Sequence, residues 1–341
     1  MIDAIMLLAF GGPESMAEVR PFLSQVAAGV GIPESRLEEV ALHYEHFDGF
    51  SPLNEQNRRL AKALSEALSA RGHDLPVVLG NRNGKDRINE TLGTLETEGK
   101  KLVLAVPTTP FASYSSCRQY MENVAAALEG MEISAVKMPP YIGIDGLVEA
   151  NARLLAEVLE EKMEPSQPCL LFTTHSIPTA GSEVYVRQHL ELADQIATRT
   201  SELLACSPLS WELVYQSRSG SPHTPWLEPD ICDALRDKHA EGVKEVIVDP
   251  IGFLSDHMEV IWDLDNEAKS TAAELGMCFT RVPTVGVHPS FVNSLADLLA
   301  KYLSQDLRLP EPGEFCSTEC CPSHNPRHAS ENRKTINGVT L

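Results

Sequence analysis

The segment CLLFTTHSIPTAG, residues 169–181, joins a strongly apolar run to a proline-containing loop that carries a histidine. An uninterrupted apolar run of this length is typical of a strand that is buried on both faces of a sheet. The same junction, a strand-sized run followed by a small or proline-containing turn, recurs at residues 7–14, 104–111 and 247–257. Such junctions indicate the carboxyl ends of parallel strands, where open α/β sheets bind their ligands.

Working outward from this segment, eight strand-sized runs alternate with longer amphipathic stretches, which is the pattern of parallel sheets covered by helices. The predicted strands cover residues 4–10, 76–80, 101–107, 132–137, 168–174, 212–216, 245–250 and 277–282. Four of them precede residue 150 and four follow it. We therefore predict an α/β fold of two similar doubly wound, Rossmann-like lobes with parallel sheets and a cleft between them. The predicted lobes are residues 1–150 and 151–310, and residues 311–341 form a tail whose last fifteen residues are expected to be disordered.

Charge and apolar run length exclude several classes of partner. The 341 residues include 28 Lys and Arg against 48 Asp and Glu, and the formal net charge is −20. This surplus, without any basic run, argues against nucleic acid or anionic lipid as a partner. The apolar runs are too short for a membrane-spanning segment, and the first residues lack the basic region of a signal peptide. We expect a cytoplasmic protein that acts as a monomer rather than a dimer.

Two segments carry side chains suited to metal or proton chemistry. His175 follows the apolar strand, and a neutral imidazole can bind a divalent metal or accept a proton. Glu259, Asp263 and Glu267 lie at i, i+4 and i+8, a spacing that predicts one stripe of carboxylates along a helix. No basic residue lies four positions after Glu259 or Asp263. The stripe is therefore either a solvated acidic face or a path that attracts cations and relays protons.

A third segment, YQSRSG at residues 215–220 followed by TPWL at 224–227, combines aromatic side chains with a cation. It is either a plain strand end with a loop or a surface for a flat organic ligand that carries carboxylates. The sequence contains no P-loop, no GxGxxG after a strand and no GxSxG, which removes the main support for a kinase, a dehydrogenase or a hydrolase.

Taken together, five segments resemble the successive signature segments of the ferrochelatases. They are LLAFGGPE (7–14), HYEHFDGFSPLN (43–54), FTTHSIP (172–178), YQSRSGSPHTPWLEPD (215–230) and PIGFLSDHMEVIWDLD (250–265). The resemblance extends over about residues 3–305 and implies a chelatase-like fold that inserts ferrous iron into a porphyrin. GNRN (80–83), SYSSCRQY (113–120) and the late cysteine cluster are most similar to the actinobacterial-type enzymes that metallate coproporphyrin III.

The resemblance also implies roles for single residues. His175 matches the histidine that faces the metal, and Glu259 matches its partner carboxylate, the two meeting from opposite walls of the cleft. Asp263 and Glu267 match acidic residues that deliver metal or remove protons. The residues implied in porphyrin contact are Phe10, Ser51, Tyr120 and Trp226. Two departures concern the porphyrin: VAAGVGIP (26–33) lacks the paired arginines of some relatives, and Tyr215 replaces a Trp.

The cysteines crowd the end of the chain. Cys316, Cys320 and Cys321 supply three thiolates within six residues, a density that favours metal binding in a reducing compartment. The resemblance implies a [2Fe-2S] cluster with Cys117 as the fourth ligand, and Cys169 is the second choice. A structural zinc, with a histidine of the tail replacing one thiolate, is the alternative. The two histidines available for that site are His324 and His328.

Two alternative functions are also consistent with the sequence. One is a ferrochelatase that metallates protoporphyrin IX, and the other is a non-catalytic haem- or metal-binding protein with a chelatase-like fold. The complete acidic stripe favours an enzyme, since tetrapyrrole binding alone does not require it.

Overall fold

The computed structural model describes residues 1–28, 34–162, 168–219, 223–308, 321, 335–336 and 339–340. Packing divides the chain into two compact units, Met1–Tyr141 with Leu295–Leu341, and Ile142–Ser294. The sequence-based division differs in two respects: it set the first boundary near residue 150, and it assigned residues 295–310 to the C-terminal lobe. A count of strands does not reveal onto which unit a terminal helix packs, and α11, Pro289–Leu303, crosses the second boundary.

The first unit contains a parallel four-stranded sheet in the order β2-β1-β3-β4. Its strands are β1 Ala4–Ala9, β2 Val77–Asn81, β3 Leu102–Pro107 and β4 Ser134–Lys137. All six residues of β1 are buried, as expected for a central strand that is covered on both faces. The helices of this unit are α1 Met16–Ala27, α2 Glu34–His46, α3 Leu53–Ser69, α4 Ile88–Thr97 and α5 Gln119–Ala127.

The core of the first unit follows from helical spacing on the helices that flank the sheet. On α3, Leu60, Leu64 and Leu68 recur every fourth residue and are at most 2% exposed. On the other helices, Leu92 of α4 and Val124 of α5 are fully buried in one apolar cluster with sheet residues. Because the helices cover the faces of the sheet, polar groups lie at the carboxyl ends of β1 and β2 and in the loops that follow them.

The second unit contains a parallel four-stranded sheet in the order β6-β5-β7-β8. Its strands are β5 Cys169–His175, β6 Trp211–Gln216, β7 Glu245–Asp249 and β8 Cys278–Arg281. Its helices include α6 Asp145–Glu160, α7 Glu183–Leu204, α8 Ile231–Ala240, α9 Met258–Val260 and α10 Lys269–Glu274. Each of the eight predicted strands overlaps one of β1–β8, which confirms the predicted strand pattern.

The structure describes only part of the tail, so only some of the predictions for it can be compared with the structure. Cys316 and Cys320 lie outside the described residues, as do His324 and His328. Within the predicted disordered end, β9 Thr335–Ile336 pairs with β10 Val339–Thr340 in an antiparallel arrangement. In the sequence, Asn-Gly lies between the two strands, and this pair is common in two-residue hairpin turns. The expectation of disorder rested on the composition of the tail and did not use this signal. None of the helices in the described ranges combines the length and apolar composition that a membrane span requires.

Candidate active site

Three adjacent strands of the second unit bring the candidate residues to one edge of the sheet. His175 ends β5 and pairs in register with Gln216, which ends β6. On the other side of β5, Phe172 pairs with Asp249 at the end of β7, and the loop after β7 leads into α9. Because parallel strands place their carboxyl ends at the same edge, residues far apart in sequence become neighbours here.

His175 and Glu259 form the centre of the site. The Nε2 atom of His175 lies 3.6 Å from Oε2 of Glu259. The other ring nitrogen, Nδ1, lies 2.5 Å from the backbone carbonyl of Ser176, which can only accept a hydrogen bond. Nδ1 therefore carries a proton, and in the neutral ring Nε2 holds the lone pair that can bind a metal or accept a proton. The two residues were expected on opposite walls of a cleft, but both belong to the second unit.

Mutual attraction sets the protonation of this pair. Burial alone would lower the pKa of His175, but its hydrogen bond with Glu259 and the charge of that carboxylate raise the pKa above its ordinary value. Partial loss of solvent around the carboxylate would likewise raise the pKa of Glu259, yet the hydrogen bond with His175 and the attraction of His175 and His257 lower that pKa to about 2. His257 contributes because its Nδ1 atom lies 4.0 Å from the same carboxylate oxygen. Glu259 is therefore ionised throughout the neutral range.

Asp263 lies in a different environment. It accepts hydrogen bonds from the Ser217 hydroxyl and, at 3.5 Å, from Nε2 of Gln216, whose Oε1 in turn accepts from Thr173 at 2.9 Å. Burial raises the pKa of Asp263 to about 7, and the negative charges of Glu259 and its other acidic neighbours act in the same direction. An acid with a pKa near neutrality can both take up and release a proton under physiological conditions.

The segment that carries the carboxylates is not the continuous α-helix that the spacing predicted. After the short α9, residues Ile261–Ala268 form a π-helical segment, which continues into α10. Single π-helical turns inside α-helices occur frequently at functional sites. The i, i+4 pattern does not distinguish the two helix types, because residues four apart are close neighbours on the same side of both. The expected row of carboxylates is nevertheless present.

A second row anchors this segment. Val260, Leu264 and Ala268, each one position after a carboxylate, are fully buried in the apolar cluster of the second unit. Complete burial of a side chain such as Leu264 contributes about 1.5–3 kcal/mol. Glu267, at the far end of the acidic row, is exposed and accepts a hydrogen bond from the Trp262 indole at 2.8 Å. The row thus runs from the His175 pair to the surface, and the alternative of a fully solvated acidic face does not describe Asp263.

Two ion pairs that no local sequence pattern signals hold this segment, one ahead of α9 and one within the π-helical part. Arg281, at the end of β8, donates to both carboxylate oxygens of Asp265, at 2.7 and 3.0 Å. It also donates to Asp256 at 3.0 Å, and Thr284 donates to the same carboxylate. Asp256 is thus held by β8 and the loop after it. Nothing in the local pattern around Arg281 signals these contacts, because its partners lie 16 and 25 residues away.

A buried hydrogen-bond chain supports His175 from behind. Tyr185 donates to the His175 carbonyl at 3.1 Å, and its hydroxyl lies 2.5 Å from Oγ1 of Thr174. Oγ1 of Thr174 is also 2.9 Å from Nε2 of His189, and burial lowers the pKa of that histidine to about 3. Gly252 is required next to this chain, since a Cβ atom there would approach Oγ1 of Thr174 to 2.2 Å. The only sequence signal is the four-residue spacing of Tyr185 and His189 on α7.

The residues expected to contact porphyrin lie in both units, each in a distinct setting. Phe10, at the end of β1, is 39% exposed, and Ser51 and Tyr120 of the same unit are buried. Gly11, after Phe10, has φ +83° and no room for a Cβ atom beside the Asn83 carbonyl, so this turn requires glycine. Trp226, in the second unit, is partly buried and its Nε1 atom has no partner among the described residues. Their contact with porphyrin stays a prediction.

Of the cysteines in the predicted cluster, the structure describes Cys117 and Cys321. Cys117 is buried within the π-helical turn Tyr114–Arg118, and Cys321 is partly buried. Within the described part of the chain, no group of three or more His, Cys, Asp or Glu residues is arranged to hold a metal ion. The second-choice ligand, Cys169, begins β5 in the other unit.

Comparison with known proteins shows which family the chain resembles. The ferrochelatase family profile matches residues 2–303. The coproporphyrin III ferrochelatase of Propionibacterium freudenreichii subsp. freudenreichii is 47% identical over 337 residues, which cover 94% of each chain. That of Streptomyces coelicolor is 42% identical over 360 residues, which cover 96% of this chain and 95% of the relative.

The chain belongs to the ferrochelatase family. As a ferrochelatase it is a porphyrin metal chelatase of the lyase class, and the family resemblance of the signature segments is confirmed. Among solved structures, SirB from Bacillus subtilis with Fe3+ has a similar fold, with a TM-score of 0.54 at 14% identity. That likeness covers 93% of this chain and all of the SirB chain, and it confirms the predicted α/β, chelatase-like fold class of this ferrochelatase.

Proposed function

We propose that this ferrochelatase inserts Fe(II) into coproporphyrin III and thereby forms Fe-coproporphyrin III for haem biosynthesis. The observation that carries the proposal is the pairing of His175 with Glu259 at 3.6 Å at the head of a row of carboxylates. The names of the two relatives, at 47% and 42% identity over nearly the whole chain, support coproporphyrin III as the porphyrin.

The reaction needs two protons removed and one metal ion delivered. Fe(II) replaces the two pyrrole N–H protons, so the ring gains Fe2+ and releases two H+. His175 and Glu259 supply a lone pair and a carboxylate at the reacting centre, one as ligand and the other as proton acceptor. Asp263 and Glu267 continue the row toward the surface and offer a path for incoming iron or outgoing protons.

The porphyrin must also be held in a bent shape, because a planar ring does not expose its nitrogens to the metal. We assign this task to contacts away from the ring centre, where binding energy can stabilise the distorted ring. Phe10, Ser51, Tyr120 and Trp226 are the residues proposed for these contacts. Of these, Phe10 already presents an exposed ring at the end of β1.

A direct test compares two porphyrins under anaerobic conditions. Purified protein is mixed with Fe(II) and either coproporphyrin III or protoporphyrin IX, and the absorption spectrum is followed. We expect kcat/KM to be about tenfold or more higher for coproporphyrin III, since two additional carboxylates offer additional charged hydrogen bonds. A preference for protoporphyrin IX would contradict the choice of porphyrin. Porphyrin binding without metallation would instead favour the non-catalytic alternative.

The acidic row beyond Glu259 should affect iron supply more than the insertion step. For Asp263→Asn and Glu267→Gln we expect the KM for Fe(II) to rise roughly threefold to tenfold while kcat changes little, because these residues lie one and two turns from the His175 pair. Initial rates at varied Fe(II) and saturating porphyrin measure this effect. A loss of kcat as large as that of a His175 variant would show that these carboxylates act at the reacting centre.

For the C-terminal cysteines we propose a [2Fe-2S] cluster held by Cys117, Cys316, Cys320 and Cys321. Four thiolates are the usual ligand set of such a cluster, and adjacent cysteines can serve its two different irons. Cys321 falls in the same packing unit as Cys117, whereas Cys169 falls in the other, which favours Cys117 as the internal ligand. The cluster would attach the tail to the first unit and take no part in metal insertion. Zinc bound by the same thiolates is the alternative.

The colour of the purified protein distinguishes an iron-sulfur cluster from bound zinc. Anaerobically purified protein should be reddish brown with thiolate-to-iron charge-transfer bands, and Cys117→Ser should bleach them because one ligand is lost. Cys206→Ser is the matched control, since Cys206 lies in the second unit and should leave the bands unchanged. Colourless protein with one equivalent of zinc would contradict the cluster and leave the chelatase activity unaffected.

A further inference from the structure

The backbone carbonyl of His175 accepts a hydrogen bond from a side chain of α7. The ladder between β5 and β7 ends where Phe172 pairs with Asp249, three residues before His175. Beyond that point the hydroxyl of Tyr185, in the first turn of α7, donates to the His175 carbonyl at 3.1 Å. Tyr185 thus supplies a donor to β5 past the end of its pairing with β7.

The peptide group that contains this carbonyl is also held at its other end. The His175 carbonyl and the Ser176 N–H belong to one planar unit. That N–H donates to the Gln216 carbonyl at 2.7 Å, and the Ser176 hydroxyl donates to the Leu227 carbonyl at 2.8 Å. The carbonyl of Ser176 in turn accepts from Nδ1 of His175. The peptide between these two residues therefore determines where the imidazole ring points.

The hydrogen bonds around the Tyr185 hydroxyl have a defined direction. Nδ1 of His189 lies 2.8 Å from the Tyr185 backbone carbonyl and therefore carries a proton. Burial lowers the pKa of His189 to about 3, so the ring is neutral and Nε2 accepts the hydroxyl proton of Thr174 at 2.9 Å. Thr174 has no second hydroxyl proton, so its Oγ1 accepts from Tyr185 at 2.5 Å. Tyr185 is consequently a donor to both Thr174 and His175.

The same hydrogen-bond chain lies against the loop that leads to Glu259. The Gly252 N–H donates to the Thr173 carbonyl at 3.1 Å, and a Cβ atom on Gly252 would approach Oγ1 of Thr174 to 2.2 Å. This loop runs from β7 into α9, which carries Glu259. The chain therefore contacts both backbone segments from which His175 and Glu259 extend.

The pair that this chain supports is sensitive to small displacements. Nε2 of His175 and Oε2 of Glu259 are 3.6 Å apart. A displacement of about 1 Å in a reacting group can lower a rate about a hundredfold. Tyr185 is only 5% exposed and acts on the backbone of His175, so its effect is on the geometry of the pair and not on the binding of either substrate.

We infer that Tyr185 is a positioning residue for metal insertion, which holds the peptide between His175 and Ser176 so that Nε2 of His175 stays directed at Glu259. This role rests on the proposed function of the His175 and Glu259 pair. It predicts a loss of kcat that is separable from changes in KM and from a loss of stability.

The test replaces Tyr185 by phenylalanine, which removes the hydroxyl and keeps the ring. Turnover of the full-length protein is measured anaerobically with Fe(II) and whichever of coproporphyrin III and protoporphyrin IX the wild type metallates faster. We expect kcat to fall about fivefold to thirtyfold, with KM for Fe(II) and for the porphyrin each changed less than about threefold.

Tyr141→Phe is the matched control. The buried Tyr141 hydroxyl donates at 2.7 Å to the carbonyl of Pro107, which ends β3 in the first unit. Both variants lose one hydrogen bond between a buried tyrosine and a carbonyl at a strand end, so Tm should fall by a similar amount in each. The kcat of Tyr141→Phe should nevertheless stay within about twofold of the wild type.

Two substitutions of Thr174 provide a second measurement. Thr174→Ser keeps the hydroxyl that orients Tyr185 and should retain most of the wild-type kcat. Thr174→Val has nearly the same shape without the hydroxyl and should lower kcat, because Tyr185 loses the acceptor at 2.5 Å. If Tyr185→Phe does not fold, equal kcat values for the two Thr174 variants would overturn the positioning role.

The possible outcomes distinguish this role from the proposed function. A kcat for folded Tyr185→Phe that equals that of Tyr141→Phe would overturn the role of Tyr185 and leave the proposed function intact. Wild-type turnover in His175→Ala, or a wild-type protein that metallates neither porphyrin, would overturn the proposed function itself.

Discussion

Replacing His175 by alanine or Glu259 by glutamine should lower kcat for iron insertion by about a hundredfold or more while the protein remains folded. Both side chains lie at the sheet edge outside the apolar core, His175 being 28% and Glu259 52% exposed. Each substitution removes one of the two groups that approach to 3.6 Å at the proposed reacting centre. Anaerobic turnover with coproporphyrin III measures the loss, and circular dichroism reports the fold.

Controls for this pair come from the same chain. His73→Ala removes a surface histidine of the first unit, and Glu274→Gln changes an exposed carboxylate at the end of α10. Both variants should retain full turnover. Wild-type turnover in either His175→Ala or Glu259→Gln would show that the reacting centre lies elsewhere.

The Glu259→Gln variant carries a second expectation that does not depend on activity. Without the carboxylate, burial acts on His175 with far less compensation, so the pKa of His175 should fall relative to the wild type. Titration of the histidine ring proton by NMR would detect the change. An unchanged pKa of His175 would mean that the two side chains do not interact in solution.

Arg281→Ala should have the largest effect on stability. Arg281 is 16% exposed, and its removal leaves Asp256 and Asp265 without their shared cation. It also removes the one charge that offsets the buried Asp249, whose oxygens have no hydrogen-bond partner in the described residues. Removing one partner of a buried ion pair costs several kcal/mol, and with the partial exposure of this cluster we expect a loss of about 1–3 kcal/mol in the free energy of unfolding.

Urea denaturation measures that loss. Arg236→Ala is the matched control because it breaks an exposed ion pair with Asp233 on α8, and its effect should be much smaller. Turnover should fall in Arg281→Ala even under conditions where the protein is folded, because Asp256 and Asp265 flank the segment that carries Glu259. Stability equal to that of Arg236→Ala would show that the cluster contributes no more than a surface pair.

The sequence alone predicted the features that depend on residues close together in the chain. Residues 169–172, CLLF, are apolar because both faces of a central strand are buried, and β5 forms where this pattern predicts it. The acidic row could also be predicted from the sequence, because residues four apart become neighbours in any helix. The roles of His175 and Glu259 came from the family resemblance, and local spacing could not have predicted their 3.6 Å approach.

The structure was needed where partners are distant in sequence. Arg82 is fixed by Asn123, 41 residues away, and Arg281 holds Asp256, 25 residues away. No periodic pattern links such positions, because the contacts arise only when strands assemble side by side. The π-helical form of Ile261–Ala268 also could not be predicted, since it depends on backbone hydrogen bonding rather than on side-chain period.

The segment after α9 carries a row of apolar side chains and a row of carboxylates, and the two rows are under different evolutionary constraints. Val260, Leu264 and Ala268 hold the segment in the core, whereas the carboxylates one position earlier are not buried in it. With the role proposed for Asp263 and Glu267, substitutions there would alter which metal ion is attracted without weakening the packing of the segment. Metal preference should thus be able to drift, or be redesigned, on an unchanged scaffold.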